Sequence, residues 1–280
     1  MGVTPLSLEC CAVSMTSRNL NRAVAVANDA GGAQVLAHLF EQRRVAPMIV
    51  ASGPACDIFR QKGLRPLPAG YLRRGIDSAD WVITGSGWSS TLEVDAIHYA
   101  KMYGKYVETW VDHWVNYRER FFRAGRLVTP NQIVVFDNFG LRLARKEIPH
   151  VSCRMEVNPY LLALREHFRA SPSFKPSGQF VLYLTEPRRR NQRFSEIDAF
   201  NFFLRHSQKL NLDGVPVKIR VHPSEHRDKY ASLVSGRPEI GFDEAYELRE
   251  SVASSCAVVG CSTMGLVVGL LAGKKVFSSI

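Results

Sequence analysis

The chain has 280 residues, 46% of them hydrophobic and 22% charged, with a formal net charge of +10. That length and balance suit one large or two ordinary domains and exclude a disordered or fibrous chain. The basic excess favours anionic partners such as nucleotides, acidic glycans or an anionic membrane face. No recognition motif or long basic stripe with aromatics points to nucleic acid.

Residues 1–20 carry Glu9 and a weak apolar patch without a signal-peptide core, so the folded part is expected from about Asn21. Ala23 to Ala27 is a continuous apolar run that reads as a strand buried on both faces. A turn, Asn28-Asp29-Ala30-Gly31-Gly32-Ala33, leads into a helix over Gln34 to Phe40. Strand, tight turn and helix in that order make a mononucleotide-binding unit. Further strands are predicted at Pro47 to Ala51, Trp81 to Thr84, Tyr106 to Val111 and Gln132 to Phe136. Helices are predicted over Thr91 to Tyr103 and from Pro159 to about Phe168. Residues 170–178, rich in Ser and Pro, read as a linker.

The pattern then restarts. Strands are predicted at Gln179 to Leu184, Val215 to Val221, Cys256 to Val259 and from Lys275. Helices are predicted over Phe194 to His206 with Ser195 as cap, Glu244 to Val252, and Thr263 to Leu271. The longest apolar run, Ala257 to Gly273, is short for a membrane span and reads better as a buried strand and helix. Repeated alternation of strand and helix argues for parallel sheets covered on both faces. The expectation is an α/β protein of two Rossmann-like lobes facing a cleft: 21–169, a linker at 170–178, and 179–280. An open sheet usually continues past the last strand seen here, so the second lobe is expected to end early.

Six cysteines, Cys10, Cys11, Cys56, Cys153, Cys256 and Cys261, match no zinc spacing. Their use fits a reducing compartment, hence a cytoplasmic location with peripheral docking on the inner membrane face as an extension. No metal site and no cofactor are expected.

Chemistry is expected where strands end. In the late turn Gly260-Cys261-Ser262-Thr263, glycine permits a tight bend and free amides at a helix start would face an anion. Ser262 could equally be a helix cap. His222-Pro223 ends a strand, which puts an imidazole at the sheet edge as a phosphate donor or acid, or as a loop cap. Glu186 ends the first strand of the second lobe and could accept from a ribose or base; Arg188 to Arg190 could offset phosphate charge. In the first lobe, Asp29 is a candidate base or a helix cap, and Gly31-Gly32 could admit a ligand closely. Asp112 beside His113 is a candidate general-base pair or a packing pair, and Gly85-Ser86-Gly87-Trp88-Ser89-Ser90 an anion nest or, with Trp88, a sugar platform. Glu93 is a further carboxylate that helix salt bridging would explain as well. The turns depart from the glycine fingerprint of dinucleotide binders, which ranks hydride transfer low.

His222-Pro223 after a strand, followed by Gly260-Cys261-Ser262-Thr263 with Gly265 and Leu266, resembles the GT-B-type nucleotide-sugar glycosyltransferases. The nearest group is that of bacterial surface polysaccharides, the sialyltransferase-like and CDP-glycerol transferase-like proteins. The resemblance is strongest over 179–280. It implies a UDP-, CMP- or CDP-linked sugar as substrate and a glycan or lipid-linked acceptor. It also implies phosphate contacts from His222, Ser262 and Thr263, a base at Asp29 or Asp112, and metal-independent transfer. The rivals are a nucleotide-sugar epimerase or hydrolase, and a non-catalytic nucleotide-sugar-binding subunit.

Overall fold

The computed structural model describes residues 18–87, 90–170, 179–187 and 194–280. The chain divides after Tyr160 into two compact units. The first runs β1 (Ala23–Ala27), α1 (Ala30–Arg43), β2 (Met48–Ala51), α2 (Ala55–Gln61), β3 (Pro66–Leu67), α3 (Leu72–Ser78) and β4 (Trp81–Thr84). It continues with α4 (Leu92–Met102), β5 (Tyr106–Trp110), a small hairpin of β6 (Phe122–Arg123) and β7 (Arg126–Leu127), β8 (Gln132–Val135), α5 (Asn138–Glu147) and β9 (Ser152–Met155). Helix α6 (Pro159–Ala170) spans the division.

Seven of these strands form one parallel sheet in the order β3-β2-β1-β4-β5-β8-β9. Side chains alternate across a strand, so β1 gives Val24 and Val26 to one apolar layer and Ala23, Ala25 and Ala27 to the other. Leu36, Phe40 and Phe59 fill the second layer, and Ile97 and Ile133 the first. Each such buried side chain stabilises the fold by about 1.5–3 kcal/mol.

The second unit runs β10 (Val181–Leu184), α7 (Glu196–His206), β11 (Val217–Arg220), α8 (Ala231–Val234), β12 (Ile240–Phe242), α9 (Leu248–Ser254), β13 (Ala257–Gly260), α10 (Gly265–Leu271) and β14 (Lys275–Ser278). Its sheet is also parallel, in the order β12-β11-β10-β13-β14. Tyr183, Phe200 and Phe203 pack as a buried aromatic cluster beneath it. The expected α/β class and parallel sheets are therefore present in both units. Residues 171–178, most of the expected linker, lie outside the described residues.

Several boundaries move for local reasons. Ser195 caps α7 as expected, in a reciprocal box with Asp198. The helix expected from Glu244 begins at Leu248 instead. Arg220 holds the preceding segment out of helical form by donating to the carbonyls of Ala245 and Tyr246, and Glu247 with Glu250 then closes a capping box. The helix expected from Thr263 begins at Gly265, after Met264. Gly265 lies against Leu184, where any side chain would overlap it. Among the described residues no helix is long and apolar enough to cross a membrane.

Arg220 also pairs with Asp243 at 2.5 Å, and only 2% of the Asp243 side chain is exposed. Removing a buried partner leaves an uncompensated charge, which costs about 3–5 kcal/mol. Arg220→Ala is expected to lower the unfolding free energy by about that amount. Urea melts of wild type and variant check it, and equal midpoints would contradict it.

Candidate active site

In each sheet the chain leaves the first strand on one side and returns on the other. The strand order reverses between β1 and β4 in the first unit, and between β10 and β13 in the second. Connections diverge at such a point and leave a crevice outside the carboxyl ends of the strands. Most of the polar groups singled out in the sequence lie at these two places.

In the second unit Thr185 and Glu186 follow β10, His222 follows β11, and Ser262 follows β13. Hydrogen bonds tie the three strand ends together. The His222 amide donates to Thr185 Oγ1 (2.8 Å), which donates to Glu225 Oε2 (2.9 Å). Tyr230 also donates to Glu225 Oε2, and Lys229 pairs with its other oxygen. Burial pushes the Tyr230 hydroxyl well above its ordinary pKa, so it stays a donor.

The Ser224 amide donates to His222 Nδ1 at 3.2 Å. This leaves the proton of the neutral ring on Nε2. His222 thus caps its own turn with one nitrogen, and the ring is half-buried at the sheet edge. Pro223 and His226 are exposed. A hollow of about 220 Å³ adjoins it, lined by Arg220, Pro223, Arg227, Phe242 and Asp243. A larger hollow, about 430 Å³, lies at the opposite edge of the sheet beside Arg205, Asp213 and Arg237, and contains none of the strand-end groups.

The late turn differs from expectation in two respects. Ser262 is not the helix cap, because α10 starts three residues later with no side-chain cap at Met264. Thr263 Oγ1 instead takes the Gly265 amide at 3.3 Å. The Ser262 amide is engaged by Glu186, which accepts from it at 2.8 Å across the switch point. An amide expected to meet an anion does meet one, and the anion is a carboxylate of the chain itself. Gly260 is buried against the Leu184 carbonyl, where a Cβ would stand at 3.0 Å.

The first unit gathers three carboxyl groups at its switch point. Asp29 occupies the N-cap position of α1 but makes no side-chain cap bond. Its Oδ1 accepts from Asn28 Nδ2 (2.9 Å), and Asn28 Oδ1 accepts from Ser52 (2.6 Å). Asp112 accepts from Ser86 Oγ (3.1 Å) and from Arg120 Nη1 (3.3 Å). Arg120 is itself buried and also donates to the Ser86 hydroxyl and carbonyl. Arg120 and Ser86 thus both engage Asp112 Oδ1, the carboxylate that the sequence suggested as a general-base pair with His113. His113 is half-buried with its ring edge-on to Trp114, which donates to Asp137.

Gly31 and Gly32 were expected to admit a ligand, but the close neighbours they admit are protein. A Cβ on Gly31 would overlap Asp112 Oδ2, and one on Gly32 would stand 3.0 Å from the Gly85 Cα. Trp88 and Arg188 to Arg190 lie outside the described residues.

Glu93 is the residue that sequence reading undervalued. Among the described residues it forms no salt bridge: it sits in the first turn of α4 with 2% exposure, and its Oε1 accepts from the Asn28 amide at 2.7 Å. Its Oε2 has no hydrogen-bond partner among the described residues. Burial, aided by the nearby Asp29 charge and opposed by the Asn28 amide, raises its pKa from 4.5 to about 7. Arg120 was missed as well, since a run such as Tyr117-Arg118-Glu119-Arg120 reads as a solvated surface. Among the described residues no group of three His, Cys, Asp or Glu side chains could hold a metal ion.

No protein-family model matches the chain, and no curated relative does. Solved structures do match. The S. aureus MnaA–UDP co-structure aligns with a TM-score of 0.66 at 11% identity, over 92% of this chain and 78% of that one. A UDP-N-acetylglucosamine 2-epimerase aligns at 0.55 and 12% identity over the same shares. The spinosyn rhamnosyltransferase SpnG complexed with thymidine diphosphate aligns at 0.50 and 10% identity, over 92% and 80%. The chain therefore has a GT-B-like fold of two α/β lobes with parallel sheets.

Because the folded-state pKa of Glu93 lies above its ordinary value, the native protein binds more protons than the unfolded chain between pH 4.5 and about 7. Stability from this group is full below that window and falls as pH rises through it. Glu93→Gln removes the term, on the order of 3 kcal/mol. The Tm difference, variant minus wild type, is expected to rise across the window and level off above it. Thermal unfolding over a pH series checks this, and a flat difference would contradict it.

Proposed function

We propose that the protein is an enzyme acting on a nucleotide-linked sugar, and that it transfers the sugar to a glycan or lipid-linked acceptor in surface-polysaccharide synthesis. The observation that carries this reading is the placement of polar clusters at the switch points of both sheets. Ligands of open parallel sheets bind there. The fold likeness to the MnaA–UDP co-structure and to SpnG complexed with thymidine diphosphate supports a nucleoside diphosphate as the donor's leaving group.

In this reading the second unit holds the donor diphosphate. His222 Nε2–H donates to a phosphate oxygen and offsets charge as the sugar C–O bond breaks and the nucleoside diphosphate leaves with the electron pair. The hydroxyls of Ser262 and Thr263 line the same strand ends. A phosphate taking the Ser262 amide displaces Glu186 from it, or Glu186 turns to a ribose hydroxyl. In the first unit Asp29, half-buried at the end of β1, takes the proton of the acceptor hydroxyl.

A second reading, epimerisation of the nucleotide sugar, is favoured by the alignment with a UDP-N-acetylglucosamine 2-epimerase at a TM-score of 0.55. Incubating the protein with UDP-, CMP-, CDP- and dTDP-sugars, with and without acceptor glycans, separates the two. Acceptor-dependent release of nucleotide is expected for at least one donor, and His222→Ala is expected to reduce it at least tenfold, about 1.4 kcal/mol. An altered sugar still joined to its nucleotide would establish epimerisation. Free sugar without acceptor would establish hydrolysis, and binding without product a binding subunit. No binding to any of the donors would end the nucleotide-sugar reading.

We further propose peripheral docking on an anionic membrane. Exposed Tyr71 just before α3, Met102 and Tyr103 at the end of α4, and Phe122 in the hairpin lie beside exposed Arg73, Arg74, Lys101 and Arg126 of the same elements. Aromatic and basic side chains together suit the boundary of an acidic bilayer. The protein is expected to float with phosphatidylglycerol vesicles at low salt and to stay down with phosphatidylcholine. Failure to float with the acidic vesicles would remove the proposal.

A further inference from the structure

Glu93 and Asp29 meet at one place in the first unit. A Cβ built on Gly87 would stand 2.7 Å from Glu93 Oε1 and 2.9 Å from Asp29 Oδ2. Both carboxyl groups therefore border the space beside the Gly87 Cα, and a side chain there would have to displace them. Their surroundings differ. Glu93 is 2% exposed, whereas Asp29 is half-buried at the sheet edge. Oxygens that border one point in this way lie within about 6 Å of each other, a range at which the charge of one carboxylate disfavours ionisation of the more buried other.

The other charges nearby are accounted for. Asp112, beyond Ser86 and Gly31, is held by Arg120. Asp95, on the same helix as Glu93, is taken by Arg123 and Thr91. No cation is paired with Glu93 among the described residues. Among the described residues the groups facing it are the Asn28 and Asp29 amides, the Asp29 carboxylate and the Gly87 backbone.

We propose that Glu93 and Asp29 form a coupled pair that shares a single proton, with Glu93 as its keeper and Asp29 as the anion that serves as base. Glu93 is then a positioning residue: it touches no substrate and acts through Asp29. The role of Asp29 as base rests on the function proposed above; the pairing does not. When a substrate O–H gives its proton to Asp29, the electron pair of that bond stays on the substrate oxygen. The pair then holds two protons until solvent removes one from Asp29.

Carboxyl ¹³C NMR on the full chain tests the pairing without any substrate. One resonance is expected to titrate near pH 7 and to vanish in Glu93→Gln. In Asp29→Asn its midpoint should fall by roughly half a unit or more, because a neighbouring negative charge has gone. Asp29→Ser gives the same readout should Asp29→Asn misfold. A midpoint that stays in place in the folded Asp29 variants, or a wild type without such a resonance, overturns the proposal.

The pH profile of kcat adds a second reading. Wild type is expected to show an inflection near pH 7 that Glu93→Gln lacks, and its persistence in that variant also overturns the pair. A wild type that binds and turns over no nucleotide sugar would sink the proposed function, while the NMR titration would still decide the coupling.

Discussion

The constraint behind the rest of this structure is the reversal of chain order in an all-parallel sheet. Parallel strands need crossovers, and the crossovers must lie on both faces for the sheet to be buried. Where the winding changes sides, adjacent strand ends send their connections apart. Backbone amides there lose the neighbour that would have paired with them. In the first unit such an amide, that of Asn28, is taken by Glu93; in the second, that of Ser262 is taken by Glu186. The same topological defect is filled by a carboxyl group in both halves of the chain.

The two fillings differ in cost. Glu186 lies at a half-exposed edge where water still solvates the charge, so it can leave the amide for little. Glu93 cannot, being enclosed by α4, the β1 end and Gly87. Asp112 shows a third arrangement, a partly buried anion beside an arginine whose own side chain is only 4% exposed. Breaking that pair from one side would strand a buried charge, which is why Ser86, Gly31 and Arg120 belong together as one structural unit.

The sequence made the central strands legible because they are continuous apolar runs bounded by turn residues, as in Ala23 to Ala27 and Ala257 to Gly260. It did not reveal β3, β9 or β12. These are short, and β9 is a half-exposed edge strand spelled Ser-Cys-Arg-Met, with no apolar period to read. The strand-end site residues of the second unit followed from position alone, since whatever ends β10, β11 and β13 must converge. The start of α10 did not follow, because the contact of Gly265 with Leu184 is tertiary. Glu93 was legible as a residue but not as a buried one. A glutamate in the first turn of a helix is ordinarily solvated and favoured there by the helix dipole. Only the close approach of Gly87 and Asn28 removes the water.

That burial raises the question of what keeps an acid in such a place. An apolar residue at position 93 would spare the desolvation of a carboxyl group but leave the Asn28 N–H without its acceptor, at about 1–3 kcal/mol. An ionised carboxylate would satisfy the amide and add a charge beside Asp29. A protonated carboxyl group supplies the acceptor without the charge, and burial together with the Asp29 charge pushes the pKa of Glu93 up, toward this state. Of the two charge states of Glu93, the neutral acid satisfies the backbone without setting a second negative charge beside Asp29. Glutamine would also be neutral and would accept from the amide, but its NH₂ would bring two donors to the place where Oε2 finds no partner. The acid has one, and can give it up.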